Sequence, residues 1–241
     1  IATGTELATK IRHDIANASG CKVLKRRAIH VRTVHDHVEV GLDSDDKLTA
    51  PNVVVATGVE PLAVSEVDWI ATDVGDLPPL WHATPADLAD AEIIVLGVDR
   101  PLGTLLRSLP DIDTRLIVVY HPEQHYKASE VSREPRVVLR PTWHASLEAT
   151  IDGKFRLRTA STNGDRIDTA TRAFANLGSR PVVPGGDLVT GSDGYCLPDR
   201  QHPRVLIAGD LRSARYQRIM TAFGTGAEAA LTAYYQRAGV L

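Results

Sequence analysis

The sequence predicts an α/β protein in two lobes of similar plan, on three observations. Short apolar runs end in glycine at Val53-Val54-Val55-Ala56-Thr57-Gly58, Ile93-Ile94-Val95-Leu96-Gly97 and Val205-Leu206-Ile207-Ala208-Gly209. Such runs suit strands covered on both faces, as in α/β layers. Residues 22–50 and 150–175 carry β-meander patterns beside them. The middle run leads into a helical segment and a second apolar strand, the pattern of a right-handed parallel βαβ unit.

Taken in order, residues 5–17 read as an amphipathic helix with Leu7, Ile11 and Ile15 on one face. Gly4 or Thr5 can cap it, and Gly20 stops it. In the first meander Ile29, Val31 and Thr33 share one side of a strand. Val38, Val40 and Leu42 repeat the pattern before the polar turn Leu42–Lys47. Asn52–Gly58 is the first buried strand, and Pro61, Pro78, Pro79 and Pro85 mark a connection between lobes. Ala91–Gly97, a helix over 101–109 with Pro101 in its first turn, and Arg115–Tyr120 form the βαβ unit. Val137-Val138-Leu139 supplies a third strand, and Thr150–Ala160 with Arg166–Ala175 form a meander around the Asn163-Gly164-Asp165 turn. Arg204–Asp210 is the last buried strand. A long helix over 219–236 follows, and its Ala222, Ala227, Ala229, Ala230 and Ala233 imply close packing against a sheet or a bound ligand.

Composition narrows the function. A formal charge of −3 over 241 residues gives no footprint for nucleic acid or an anionic membrane. The nine histidines show no metal-ligand spacing, so no metal site is expected. Two distant cysteines, Cys21 and Cys196, fit a reducing, cytoplasmic compartment without disulfides. No apolar run approaches the roughly 20 residues that span a bilayer.

Gly209-Asp210 is the most chemically suggestive pair. Glycine at a buried strand's end lets a ligand approach the backbone, and a carboxylate beyond it can accept bonds from a polyol or ribose. Asp210 can equally be a plain turn or helix-capping residue. In context the choice narrows. Val53–Gly58, Phe174-Ala175-Asn176-Leu177-Gly178-Ser179-Arg180-Pro181, Gly194-Tyr195, Gly209-Asp210 and Thr221–Ala230 together resemble the thioredoxin reductase-like branch of the pyridine nucleotide-disulfide oxidoreductases. The resemblance runs through nearly the whole chain, and its C-terminal signature is the most specific part.

It implies two dinucleotide-binding, three-layer ββα lobes. A discontinuous FAD lobe (1–67 and 178–241) would surround an NAD(P)-type lobe (68–177). It further implies FAD as cofactor, with Thr57 and Gly58 as loop residues at the flavin nucleotide. Gly209 and Asp210 would contact the diphosphate and ribityl chain, and Gln217, Arg218 and Ile219 would lie beside the flavin ring. The family commonly has Arg-Gln where this chain has Gln217-Arg218. Homodimers are usual in the family. A hetero-oligomer with a related chain is the other expected assembly, with a small-molecule or protein redox partner.

Three departures qualify that picture. The family's CxxC has no counterpart, since 73–82 contains no cysteine and a dithiol relay needs two thiols within reach. The turn Gly97-Val98-Asp99-Arg100-Pro101-Leu102-Gly103 puts Asp99 where G-x-G-x-x-G/A has its second glycine, and Leu102 at the small third position. Tyr120-His121-Pro122-Glu123 stands where basic residues usually hold the NADPH 2′-phosphate. These changes argue against NADPH and leave NADH or no nicotinamide open. The family's opening GxGxxG unit is also expected before Ile1. Without it the central strand of the FAD sheet would be missing and an apolar face exposed. The expected function is an FAD-dependent oxidoreductase without a redox dithiol. The alternatives are a non-catalytic flavoprotein subunit and an NAD(P)H-dependent reductase of a protein or small molecule.

Overall fold

The computed structural model describes residues 4–160 and 164–240, so Asn163 of the expected meander turn lies outside the described residues. In chain order the elements begin with α1 (Gly4–Asn17), β1 (Ala28–Val34), β2 (His37–Leu42), β3 (Lys47–Ala50) and β4 (Val53–Val55). There follow β5 (Val59–Pro61), β6 (Ile70–Thr72), α2 (Pro85–Leu88), β7 (Ala91–Leu96), α3 (Pro101–Ser108), β8 (Thr114–Tyr120), α4 (His125–Ala128) and β9 (Val137–Pro141). Next come β10 (His144–Ala149), β11 (Phe155–Ala160), β12 (Arg166–Ala170), β13 (Arg172–Ala175) and β14 (Ser179–Pro181). The chain closes with β15 (Gly185–Gly186), β16 (Val205–Ile207) and α5 (Ile219–Arg237). No described helix is long and apolar enough to cross a membrane.

The chain separates into two compact units, one made of 1–58 with 182–241 and the other of 59–181. β5 and β14 pair antiparallel inside the second unit, Val59 opposite Pro181.

The second unit is a three-layer ββα sandwich. Its middle layer is a parallel sheet in the order β13-β7-β8-β9, and its outer sheet runs β12-β11-β10-β6. The apolar run of β7 is read twice, once on each face. Ile94 and Leu96 join Ile117, Val119, Trp69, Leu147 and Leu157 under the outer sheet. Ile93 and Val95 join Leu116, Val118, Leu102, Leu106 and Val131 under the helices. Both faces of the strand are dry, so it carries no polar alternation. Arg136 fixes the lower end of α3: its guanidinium donates to the carbonyls of Leu109 at 2.6 Å and Leu106 at 3.1 Å, while Glu134 holds its Nε at 2.7 Å. A cation at carbonyls otherwise unpaired in the helix is favoured by the dipole.

Two expectations change in this unit. The Pro-rich passage is not a linker between lobes. It contains β6, which pairs parallel with β10, and a helical turn that places Leu80 at 0% exposure. Arg166–Ala175 is not one strand of the meander either: Thr171 divides it, β12 stays in the outer sheet, and β13 pairs parallel with β7.

The first unit contains the sheet β15-β1-β2-β3, the two-stranded parallel sheet β16-β4, and α1 and α5. Its core joins Val31, Val38, Val55, Cys196, Val205, Ile207 and Leu211. The meander begins at Ala28 rather than 22, and Ile29 is exposed although its strand mate Val31 is buried. β4 is not covered on both faces: Val55 is buried but Val54 is 43% exposed. Ala229 alone among the residues of α5 is buried, and α1 buries none.

A long-range contact in this unit titrates. Asp187 accepts from the Thr33 backbone N–H at 2.8 Å and from the Thr33 hydroxyl at 3.0 Å, tying β1 to the chain after β15. Those donors hold its carboxyl below the usual range. A lowered native pKa stabilises the fold above the unfolded value, and that stabilisation disappears as pH falls below about 4. Asp187→Asn is therefore expected to be less stable than the parent at neutral pH, with the gap closing in acid. Urea midpoints across pH check this; a gap that does not narrow in acid rules out this role for the carboxylate.

Candidate functional site

β4 and β16 are in parallel register, with Val53, Val54 and Val55 opposite Val205, Leu206 and Ile207. The register delivers Thr57-Gly58 and Gly209-Asp210 at the same carboxyl end of the sheet, where open α/β sheets receive ligands. The Ala208 N–H donates to the Val55 carbonyl at 3.0 Å, continuing the pairing past the strands. Thr57 and Gly58 are then pinned to the returning chain. The Thr57 hydroxyl donates to the Val182 carbonyl at 2.5 Å, and the Val182 N–H donates to the Gly58 carbonyl at 3.0 Å.

Gly209 has φ +70°, a conformation that favours glycine, and a Cβ built there would meet nothing within 4 Å. Its N–H donates to the Thr225 hydroxyl of α5 at 2.9 Å, and that hydroxyl lies 3.0 Å from the Thr221 carbonyl. Thr225 thus ties the strand end to the helix, a role composition alone gave no reason to assign. In front of this junction lies a cavity of about 170 Å³ lined by Gly209, Asp210, Arg212, Ser213, Tyr216 and Thr225. Arg212 is held by Glu228 of α5 at 2.6 Å.

The segment entering α5 brings up the remaining expected residues. The Gln217 amide donates to the Tyr195 hydroxyl and to the Ser213 carbonyl, each at 3.2 Å. Arg218 is the residue before the first turn, in extended backbone, and its side chain caps none of the turn's N–H groups. Those groups keep their positive end of the helix dipole. Ile219 opens the helix and is 55% exposed.

The second unit holds the modified nucleotide turn. Gly97 ends β7 with φ +97°, and a Cβ there would lie 2.2 Å from the Asn176 carbonyl oxygen. The Asp99 N–H donates to that same carbonyl at 3.2 Å, and the Asn176 side-chain amide donates to the Asp99 carbonyl at 2.8 Å. The Asp99 carboxylate is paired with Lys127 of α4 at 3.1 Å. Leu102 is buried under the helices, and His121 Nδ1 stands 3.6 Å from Glu123. A carboxylate paired with a lysine thus stands at the turn after β7.

Both cysteines are free. Cys196 is fully buried in the first unit's core and burial pushes its thiol pKa up, whereas Cys21 is exposed. The cysteine-free stretch 73–82 lines, with Leu62 and Leu177, a mainly apolar cavity of about 180 Å³ through Leu77 and Trp81. Among the described residues no cluster of His, Cys, Asp and Glu is arranged to hold a metal.

A three-layer ββα unit, and a split unit ending in a Gly-Asp strand end and a long helix, define a protein of dinucleotide-fold plan. No protein-family model and no curated protein matches the chain. Solved structures do. Lactococcus lactis thioredoxin reductase in its FR conformation matches with TM-score 0.72 and 18% identity over 96% of this chain and 80% of that one. The thioredoxin reductase of T. acidophilum matches with TM-score 0.70 and 16% identity over 98% and 81%. The bacillithiol disulfide reductase of Bacillus cereus matches with TM-score 0.62 and 16% identity over 95% and 77%. The chain has the thioredoxin reductase-like fold.

Proposed function

We propose that the chain is an FAD-dependent oxidoreductase of thioredoxin reductase-like build that works without a dithiol of its own. The observation that carries this reading is the Gly209–Asp210 strand end. Backbone in the left-handed region faces open space there, next to a carboxylate and at the ligand-receiving edge of the sheet. These residues fit part of FAD: Gly209 would admit the diphosphate, Asp210 would accept from ribityl or ribose hydroxyls, and Thr57-Gly58 would frame the same edge. Gln217, Arg218 and Ile219 would bring the uncapped start of α5 beside the ring, where its dipole favours negative charge. FAD supplies the electron-transfer chemistry, and the chain supplies position and electrostatics. A homodimer or an assembly with a related chain, in a reducing compartment such as the cytoplasm, belongs to the same reading.

A hydrogen bond to a charged group contributes about 1.5–3 kcal/mol. Asp210→Ala is therefore expected to weaken FAD binding about ten- to a hundredfold, read as flavin retained after gel filtration and as Kd by fluorescence titration. Unchanged retention would remove Asp210 from the site, and a parent chain that takes up no FAD would overturn the proposal.

Two observations favour a second reading, a flavoprotein subunit that binds without turnover. The Asp99 carboxylate at the nucleotide turn disfavours a nicotinamide diphosphate, and Cys196 is buried away from solvent. Anaerobic addition of NADH or NADPH separates the readings: rapid flavin bleaching supports an NAD(P)H-dependent reductase, and no bleaching leaves another donor or the subunit role.

A further inference from the structure

The misfit at the nucleotide turn has a definite form. Asp99 does more than crowd the position, because Lys127 holds its carboxylate and Asn176 its backbone. The residue directly precedes the N-cap of α3, at the end of the helix where the dipole favours negative charge. Its backbone is held to Asn176 by two hydrogen bonds running in opposite directions, and the Asn176 N–H donates to Leu96 at 2.6 Å. Gly97 donates to the Val119 carbonyl at 2.7 Å, so the turn is fastened to β8 as well as to the exit of β13. Lys127 then reaches from α4, beyond the carboxyl end of β8, to the Asp99 carboxylate. The two side chains are 27% and 19% exposed, which shields the pair from much of the solvent screening that weakens surface pairs. An anion, a helix N-terminus and a lysine at the carboxyl ends of parallel strands are the parts of a phosphate site, with the anion supplied by the chain.

We propose that Asp99 and Lys127 form an internal latch on the nucleotide crevice of residues 59–181. Asp99 stands in for the anionic group of a nucleoside diphosphate, and Lys127 is the cation that such a ligand must take from it. The proposal rests on reading this lobe as nucleotide-type. A diphosphate meets repulsion from Asp99 and finds its counter-charge already engaged. Removing the carboxylate relieves both at once and releases Lys127 beside the turn.

The test is titration of the 241-residue chain and its variants with ADP by calorimetry at low salt, with near-ultraviolet circular dichroism to verify folding. Asp99→Gly is expected to bind ADP at least about tenfold tighter than the parent, a shift of about 1.4 kcal/mol. Asp99→Gly with Lys127→Ala is expected to lose most of that gain, and Lys127→Ala alone to gain nothing. Asp99→Asn keeps the side-chain shape, removes the charge, and is expected to gain affinity in the same direction; it gives the comparison should the glycine variant fail to fold. Equal ADP affinity in parent, Asp99→Gly and Asp99→Asn overturns the latch and leaves the nucleotide reading standing. Absence of ADP binding in every folded variant overturns both.

Discussion

Replacing Gly97 by alanine is expected to unfold residues 59–181 under conditions in which the parent chain stays folded. Two terms act together. The residue has φ +97°, which an L side chain adopts at a cost of roughly 1–2 kcal/mol. Its new methyl would also sit 2.2 Å from the Asn176 carbonyl oxygen and 2.8 Å from the Leu177 Cα. Those are backbone atoms just past the end of β13, the strand paired with β7, so no side chain can swing aside. Overpacking of this kind costs about 1–3 kcal/mol or more, and the sum reaches about 3 kcal/mol or beyond. Urea unfolding followed by tryptophan fluorescence measures it. A parent-like midpoint would mean that the turn is not seated on Asn176. The contrast with Asp99 is informative: a change at Gly97 breaks the frame of the turn, while a change at Asp99 alters what the frame holds.

The second large effect is expected at Ile94. Its side chain is fully buried between the parallel sheet and the outer sheet, among Leu147, Leu157 and Trp69. Ile94→Ala removes buried methyl groups where strands on both sides prevent collapse, a loss of about 2–5 kcal/mol. Ile93→Ala, facing the helices, is expected to lose a similar amount through the other core. Trp69 reports the first change directly, and a loss below about 1 kcal/mol at Ile94 would contradict the two-faced burial of β7.

What could be read from the sequence follows from where both faces of an element are covered. β7 and β8 stand out because burial on two sides leaves no room for polar residues. β12 and β13 read as one strand because only Thr171 separates them, and nothing local says that the chain changes sheets there. β5 and β14 are three-residue strands that include proline, below what periodicity can detect. At the candidate site, Gly209-Asp210 stood out only through its place in the wider resemblance, since glycine and aspartate at a strand end also suit a plain turn or cap. Thr225 and the pairing of Lys127 with Asp99 were not, since both are made by elements that meet only after folding.

The interrupted course of the first unit sets an order of events during synthesis. Residues 59–181 leave the ribosome as one uninterrupted stretch and can close their own cores as they emerge, as continuous domains generally do. β4 is made earlier, yet its partner β16 is encoded beyond that whole stretch. The loop-closure entropy of so long a connection grows only slowly with length, so waiting is cheap in free energy. It is hazardous in time: until β16 arrives, β4 is a bare apolar edge open to the wrong strand. A compact insert that folds first shortens the search by bringing its two ends, Val59 and Pro181, together.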